Sequence, residues 1–250
     1  MASPVPQELD VPGDGQVAVW WSRIDVEPAA LVRASGAVDA ATLARAQRMR
    51  RERDGRQVLL AHALLRRLLA GLTGRRAPTI ELLRRCASCD GTDHGRPYLP
   101  GGASFGLSHG GELVVVALAA PGADVAVDVE AVQPPERWEA VRRHAFSDDE
   151  WAATGGDPAG DRTAHWCRKE AVVKATGYGL EIDLTRVHLD PTVPPATEQP
   201  SAVRFDAGDP AAPAGDWCVA DLDLAPAHRV AVALRTPRAP LRFTRHHAEL

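Results

Sequence analysis

The chain reads as an α+β protein built from two similar halves, joined near Ala119 to Ala123, with a ligand cleft between them. Three observations predict this. Two short apolar strands echo one another, Val17-Ala18-Val19-Trp20-Trp21 and Val125-Ala126-Val127-Asp128. Each is followed by a long helix, from Arg56 to Leu72 and from about Ala164 to Thr176. Each half then closes on an apolar strand, Leu113 to Leu118 ending VVVAL and Arg229 to Leu234 ending VAVAL. The expected halves are residues 1–120 and 124–250.

Along the chain, the stretch holding Arg45, Arg48, Arg50, Arg51, Arg53 and Arg56 is densely basic, with Glu52 and Asp54 able to pair within it. The helix after it carries Leu60, Ala63, Leu64 and Leu68 on one stripe, the mark of a helix packed on a core. Gly95-Arg96-Pro97 predicts a rigid turn with one guanidinium. Ser104 to Leu118 is a hairpin signal, two strands about His109-Gly110-Gly111. It sets Ser108 and His109 beside small residues, where a ligand can approach. Ser147-Asp148-Asp149-Glu150 reads as a capping box. Pro191 to Gly215, rich in Pro and Ala without periodicity, reads as an extended loop.

Composition narrows the function classes. An apolar fraction of 45% and a charged fraction of 25% are ordinary for a globular protein. A net charge of -4 argues against nucleic acid as partner. No apolar run approaches the ~20 residues of a membrane span, and the N-terminus lacks a secretion signal, so a cytoplasmic place without membrane attachment is expected. The cysteines are Cys86, Cys89, Cys167 and Cys218. Cys86-Ala87-Ser88-Cys89 with His94 resembles half of a zinc site. A structural zinc commonly takes two such pairs; with no second pair, a reduced loop is expected, and a disulfide is least expected in the cytoplasm.

The chemistry concentrates in three places. In WCRKEAVVKATGYGL, residues 166 to 180, Trp166, Glu170 and Lys174 are four apart and share one helix face. Gly177 and Gly179 then stop the helix. A Glu-to-Lys pair at this spacing is by itself most often a surface ion pair. In Val125 to Glu130, side chains alternate, so Asp128 and Glu130 point the same way. With Glu170 they offer three hard oxygen donors, a set that suits Mg²⁺ completed by waters and substrate phosphates. Ser108, His109 and Arg96 together suit a phosphate.

The order Gly95-Arg96-Pro97, Leu107-Ser108-His109, Val127-Asp128-Val129-Glu130, then Trp166-x-x-Lys169-Glu170-Ala171-x-x-Lys174-x-x-Gly177 resembles the Sfp-type 4'-phosphopantetheinyl transferases. These move the phosphopantetheine arm of coenzyme A onto a serine of an acyl or peptidyl carrier protein. The resemblance spans roughly residues 95 to 180 and departs at Gly106, Gly110 and Ala126, where the family often has Asn, Ser and Gly. It implies a pseudo-twofold architecture and a monomer of the secondary-metabolism type. It implies that Asp128, Glu130 and Glu170 hold Mg²⁺ against the pyrophosphate, and that Lys174 neutralises phosphate charge. Ser108, His109 and Arg96 would face the nucleotide end. Basic residues near the first long helix, Arg48 or Arg53, would meet the 3'-phosphate. Glu170 is implied as base for the carrier serine, with Glu150 either assisting through a water or only capping its helix. Two other classes stay open: a coenzyme-A-binding module without catalysis, and a metal-dependent phosphohydrolase.

Overall fold

The computed structural model describes residues 2–179, 182–190, 193, 198–206, 213–236 and 239–250. The first half contains β1 (Ser3–Pro4), β2 (Gln16–Arg23), α1 (Pro28–Ser35), α2 (Ala40–Gln47), α3 (Glu52–Thr73), β3 (Leu83–Arg85), β4 (Arg96–Tyr98), β5 (Ser104–Gly110) and β6 (Leu113–Ala119). The second contains β7 (Val125–Ala131), α4 (Pro135–Ala145), α5 (Asp148–Ala153), α6 (Gly160–Thr176), β8 (Val187–His188), β9 (Ser201–Phe205), β10 (Trp217–Leu222), β11 (His228–Arg235) and β12 (Arg242–Glu249).

Two five-stranded sheets result, ordered β1-β12-β2-β6-β5 and β7-β11-β10-β9-β8. The internal echo is structural. In each half a leading strand (β2 or β7) runs antiparallel to a late strand (β6 or β11). That late strand is itself antiparallel to the one before it in sequence (β5 or β10). The long helix of each half, α3 or α6, falls in sequence after the leading strand and packs on its sheet.

Alternation of side chains builds four layers from this. Leu60, Leu64 and Leu68 of α3 pack with Trp20, Val114 and Val116 on the outer face of the first sheet. Val17, Val19 and Val115 meet Val125, Val127 and Val129 between the sheets. Ala126 turns the other way, to Ala171, Val172 and Ala175 of α6. The strand run 125–130 is therefore apolar on both faces until Asp128 and Glu130, which share the α6 side with Ala126.

The edge strands β5 and β7 lie against one another where the two sheets meet. A Cβ on Gly106 would stand 2.6 Å from Ala126 Cα, and one on Gly110 2.1 Å from the Val129 carbonyl oxygen. The two strands approach so closely that position 106, facing Ala126, has no room for a side chain.

Three expectations are corrected. The last strand, β12, pairs in parallel with β2 and β1 and so returns to the first sheet. The division 1–120 and 124–250 therefore fails at the C-terminus. Stacking of Trp20 on His246 and Trp21 on His247, at 4.2 and 3.9 Å, helps hold β12 there. The expected loop from Pro191 to Gly215 contains β9, whose ladder to β10 buries Val203. Positions 191–192, 194–197 and 207–212 of that stretch, and Leu180 at the end of the helix motif, lie outside the described residues. Finally, Gly95-Arg96-Pro97 is a turn only at Gly95, with φ 87°. Arg96 and Pro97 belong to β4, paired with β3 in a two-stranded ribbon where proline is tolerated at an edge. No described helix is long and apolar enough to cross a membrane.

Candidate active site

The site forms where α6 crosses β7. Helix α6 ends at Gly177, whose left-handed φ of 81° closes the last turn. Its face with Trp166, Glu170 and Lys174 lies over the acidic positions of β7. Lys174 Nζ bonds Asp128 Oδ1 and lies 3.3 Å from Ser108 Oγ. The Ser108 hydroxyl donates to the same Asp128 oxygen at 2.9 Å. Asp128 is only 3% exposed, and its second oxygen, Oδ2, is buried with no hydrogen-bond partner in the described structure.

The remaining acids are electrostatically strained. Burial, then the charge of Asp128, pushes Glu130 up to about 7, against the pull of Lys174 and a hydrogen bond from Trp166. Burial and Asp128 likewise raise Glu170. Lys174 is raised despite its burial, because Asp128 and Glu170 favour its charge. One ammonium thus serves three carboxylates, and a buried oxygen has no donor. A divalent cation of hard-oxygen preference fits this set. The acid oxygens are not drawn tightly together: among the described residues, the group of three ligand atoms within 4.8 Å of one another is a different one, Cys86, Cys89 and His94.

A cleft of about 620 Å³ opens beside Lys174. Both halves line it: His62 and Arg84 from one side, Leu107 of β5, and Ala126, Lys174 and Tyr178 from the other. Its walls are mostly apolar, and Arg84, Arg96 and Lys174 add cationic groups to them. This is a shape for an amphipathic anionic ligand.

The expected residues distribute as follows. Asp128, Glu130, Glu170, Lys174 and Ser108 come together. Ser108 belongs to this acid–lysine cluster through Asp128 and Lys174. His109 reaches solvent at the end of β5; partial burial of its ring, then Lys174 and Arg45, lower its pKa. Arg96 lines the cleft, but its guanidinium is engaged. It donates to the Ala175 carbonyl at 3.1 Å and the Val125 carbonyl at 2.7 Å, tying the end of α6 to the start of β7. Arg48 and Arg53 are exposed. Of the basic stretch from Arg45 to Arg56, Arg45 is the residue whose charge bears on both His62 and His109, beside Arg84, which lines the cleft itself. The place of Arg45 before a helix with an isolated histidine at 62 was the available signal.

Glu150 sits elsewhere. It completes the capping box with Ser147, through bonds of 2.8 and 3.3 Å. It is 3% exposed and bonds Lys169 Nζ at 2.7 Å, with His165 Nε2 3.0 Å away. Lys169 leaves α6 about 100° around the axis from Glu170, so Glu150 is held against a different face of the helix from the acid cluster.

Residues 124–233 match the family model of the 4'-phosphopantetheinyl transferase superfamily. The chain is 32% identical over 161 residues to a phosphopantetheinyl transferase of Thraustochytrium sp., covering 57% of this chain and 53% of that one. It is 32% identical over 110 residues to the 4'-phosphopantetheinyl transferase AcpT of Salmonella typhimurium, covering 42% and 55%. To the 4'-phosphopantetheinyl transferase psf-1 of Bacillus pumilus it is 29% identical over 203 residues, covering 78% of each. The match thus spans about half the length of the first two relatives and most of the third.

Proposed function

We propose that this chain, whose residues 124–233 match the family model of the 4'-phosphopantetheinyl transferase superfamily, transfers the phosphopantetheine arm of coenzyme A to a serine of an acyl or peptidyl carrier protein, with Mg²⁺. The observation that carries the reading is the shared cluster of Asp128, Glu130, Glu170, Lys174 and Ser108, which meets a cleft lined by both halves through Lys174. Because a single chain supplies the whole cleft, we take the active form to be a monomer.

Asp128, Glu130 and Glu170 would hold the Mg²⁺. When bound, it would offset charge on the pyrophosphate and on the departing phosphate. The protein's own work is positioning and charge. Lys174, kept protonated by Asp128, supplies a fixed ammonium where phosphate charge develops. Glu170, raised by burial and Asp128, is a stronger base than an ordinary carboxylate. It accepts the proton of the carrier serine as that oxygen bonds the phosphorus nearer the pantetheine. The bond from this phosphorus to the bridging oxygen breaks, and 3',5'-adenosine bisphosphate leaves. Ser108 holds the Asp128 carboxylate in place through its 2.9 Å bond. Little covalent chemistry falls to the protein, as is general for transfer at phosphorus.

Apolar walls carrying cationic groups suit the adenosine and phosphates of coenzyme A, and Arg45 is the basic residue we assign to the 3'-phosphate. The test is direct. The protein is incubated with coenzyme A, Mg²⁺ and apo carrier proteins, and the carriers are weighed. A carrier heavier by one phosphopantetheine supports the reading. Unmodified carriers across a broad panel, with coenzyme A hydrolysed, would establish a phosphohydrolase instead.

A further inference from the structure

The loop between β3 and β4 brings together a second set of ligating groups, outside the acid cluster. Cys86 Sγ, Cys89 Sγ and a His94 ring nitrogen all lie within 4.8 Å of one another. Both cysteines are free thiols. His94 Nε2 is 3.5 Å from Cys89 Sγ. Two ligands at a Zn–S distance of about 2.3 Å and a Zn–N distance of about 2.0–2.1 Å, at the tetrahedral angle, stand about 3.6 Å apart. The observed separation is that of two neighbouring corners of a zinc tetrahedron.

The surroundings support the same ligand. Asp93 Oδ1 lies 2.6 Å from His94 Nδ1. A carboxylate on one ring nitrogen fixes the tautomer and aims the other nitrogen at a metal. The Gly91 N–H points at Cys89 Sγ, 3.4 Å away, and the loop closes through Cys86 N–H to the Gly91 carbonyl at 2.9 Å. Asp90 takes a left-handed φ of 55° to make that turn. A Cβ on Gly91 would stand 2.8 Å from the His94 ring and 3.1 Å from Cys89 Sγ, so glycine is what lets both groups converge. Cys89 and His94 are exposed. An exposed thiol and imidazole gain little from facing each other in water, whereas a soft thiolate–imidazole set has high affinity for Zn²⁺.

We infer that Cys86, Cys89 and His94 form a zinc site, with Asp93 orienting His94 and solvent completing the tetrahedron. The sequence alone pointed to a reduced loop, for want of a second cysteine pair; one pair and a histidine in space make three ligands. The loop leads directly into Gly95 and Arg96, and Cys86 and His94 line the cleft. The ion is therefore a brace for the cleft wall and takes no part in the transfer chemistry.

Protein purified without chelator should carry one zinc per chain by elemental analysis. Titration of the metal-free protein with Co²⁺ should give a thiolate-to-cobalt charge-transfer band, a signal that oxygen ligands such as the acid cluster cannot produce. Asp93→Asn should weaken Co²⁺ binding about 10–100-fold. Cys89→Ser should diminish the band, with melting measured beside it to show that the variant folds. No band with excess Co²⁺ and all thiols reduced would overturn the assignment. So would a band unchanged in the Cys89→Ser/His94→Ala double variant, or a Cys86–Cys89 disulfide in the isolated protein.

Discussion

Replacing Lys169 with Met should cripple the fold and leave the chemistry of whatever remains folded intact. Lys169 is fully buried. Its three N–H bonds each meet one acceptor: Glu150 Oε2 at 2.7 Å, the Ala145 carbonyl at 2.9 Å and the Leu184 carbonyl at 2.9 Å. One ammonium thereby ties α6 to the end of α4, to α5 and to the turn at Leu184. Methionine keeps most of the volume and loses every donor. Two carbonyls and a carboxylate are left without their partner. Removing one member of a buried pair costs about 3–5 kcal/mol. For a chain of this size about 1 kcal/mol moves Tm by 2–4 °C, so the melting temperature should fall by about 6–20 °C. Calorimetry reads this directly. Glu150→Gln in the Lys169→Met background should restore part of the loss, because it removes the stranded charge, whereas Glu150→Gln alone should destabilise. Transfer measured well below the lowered Tm should stay near the wild-type rate. A Lys169→Met protein that melts like wild type but no longer transfers would refute the reasoning and make Lys169 a residue of the site.

Lys174→Ala should show the opposite pattern, a loss of about 10²-fold or more in transfer with a far smaller change in Tm than Lys169→Met; equal damage to both properties would contradict the division of labour between the two lysines. Arg45→Ala should raise KM for coenzyme A more than Arg48→Ala or Arg53→Ala, and equal KM values across the three would remove Arg45 from the 3'-phosphate. Gly110→Ala should destabilise by about 1–3 kcal/mol through overpacking, since its Cβ would meet the Val129 carbonyl; unchanged melting would mean β5 and β7 can part without cost. Acid should act in two stages. Burial, then Arg45 and Arg66, holds His62 at about 4, so its neutral form contributes stability above the usual 6.5 that is lost as pH falls toward 4. Glu150 is brought down to about 2, with His165 and Lys169 outweighing its burial, so its contribution is full above the usual 4.5 and lost between there and 2. His62→Gln should lessen the loss of stability between pH 6.5 and 4 in a melting-versus-pH series, a window in which Glu130, held at about 7, acts in the opposite sense and His165 in the same sense as His62; a curve unchanged by the substitution would locate the loss in those other groups.

The strand run VAVDVE and the helix run from Trp166 to Lys174 were legible without coordinates because local periodicity fixes which side chains share a face. The period of two puts Asp128 with Glu130, and the period near 3.6 puts Glu170 with Lys174. The duplication was legible for the same reason, since each half repeats the order of strand, helix and closing strand. Sequence could not decide what lies opposite each face. Lys169 and Lys174 look alike in one motif, yet one is fully buried and the other faces Asp128, and only the packing of α4 and α5 against α6 separates them. The return of β12 to the first sheet, the close approach of Gly106 to Ala126 and the nearness of Arg45 to His109 are contacts between residues far apart in the chain. No local pattern encodes them, because they follow from how two sheets meet. The Cys86, Cys89 and His94 set lies between these extremes: its spacing was visible, but only the turn through Asp90 and Gly91 brings the three ligand atoms and the Asp93 carboxylate together.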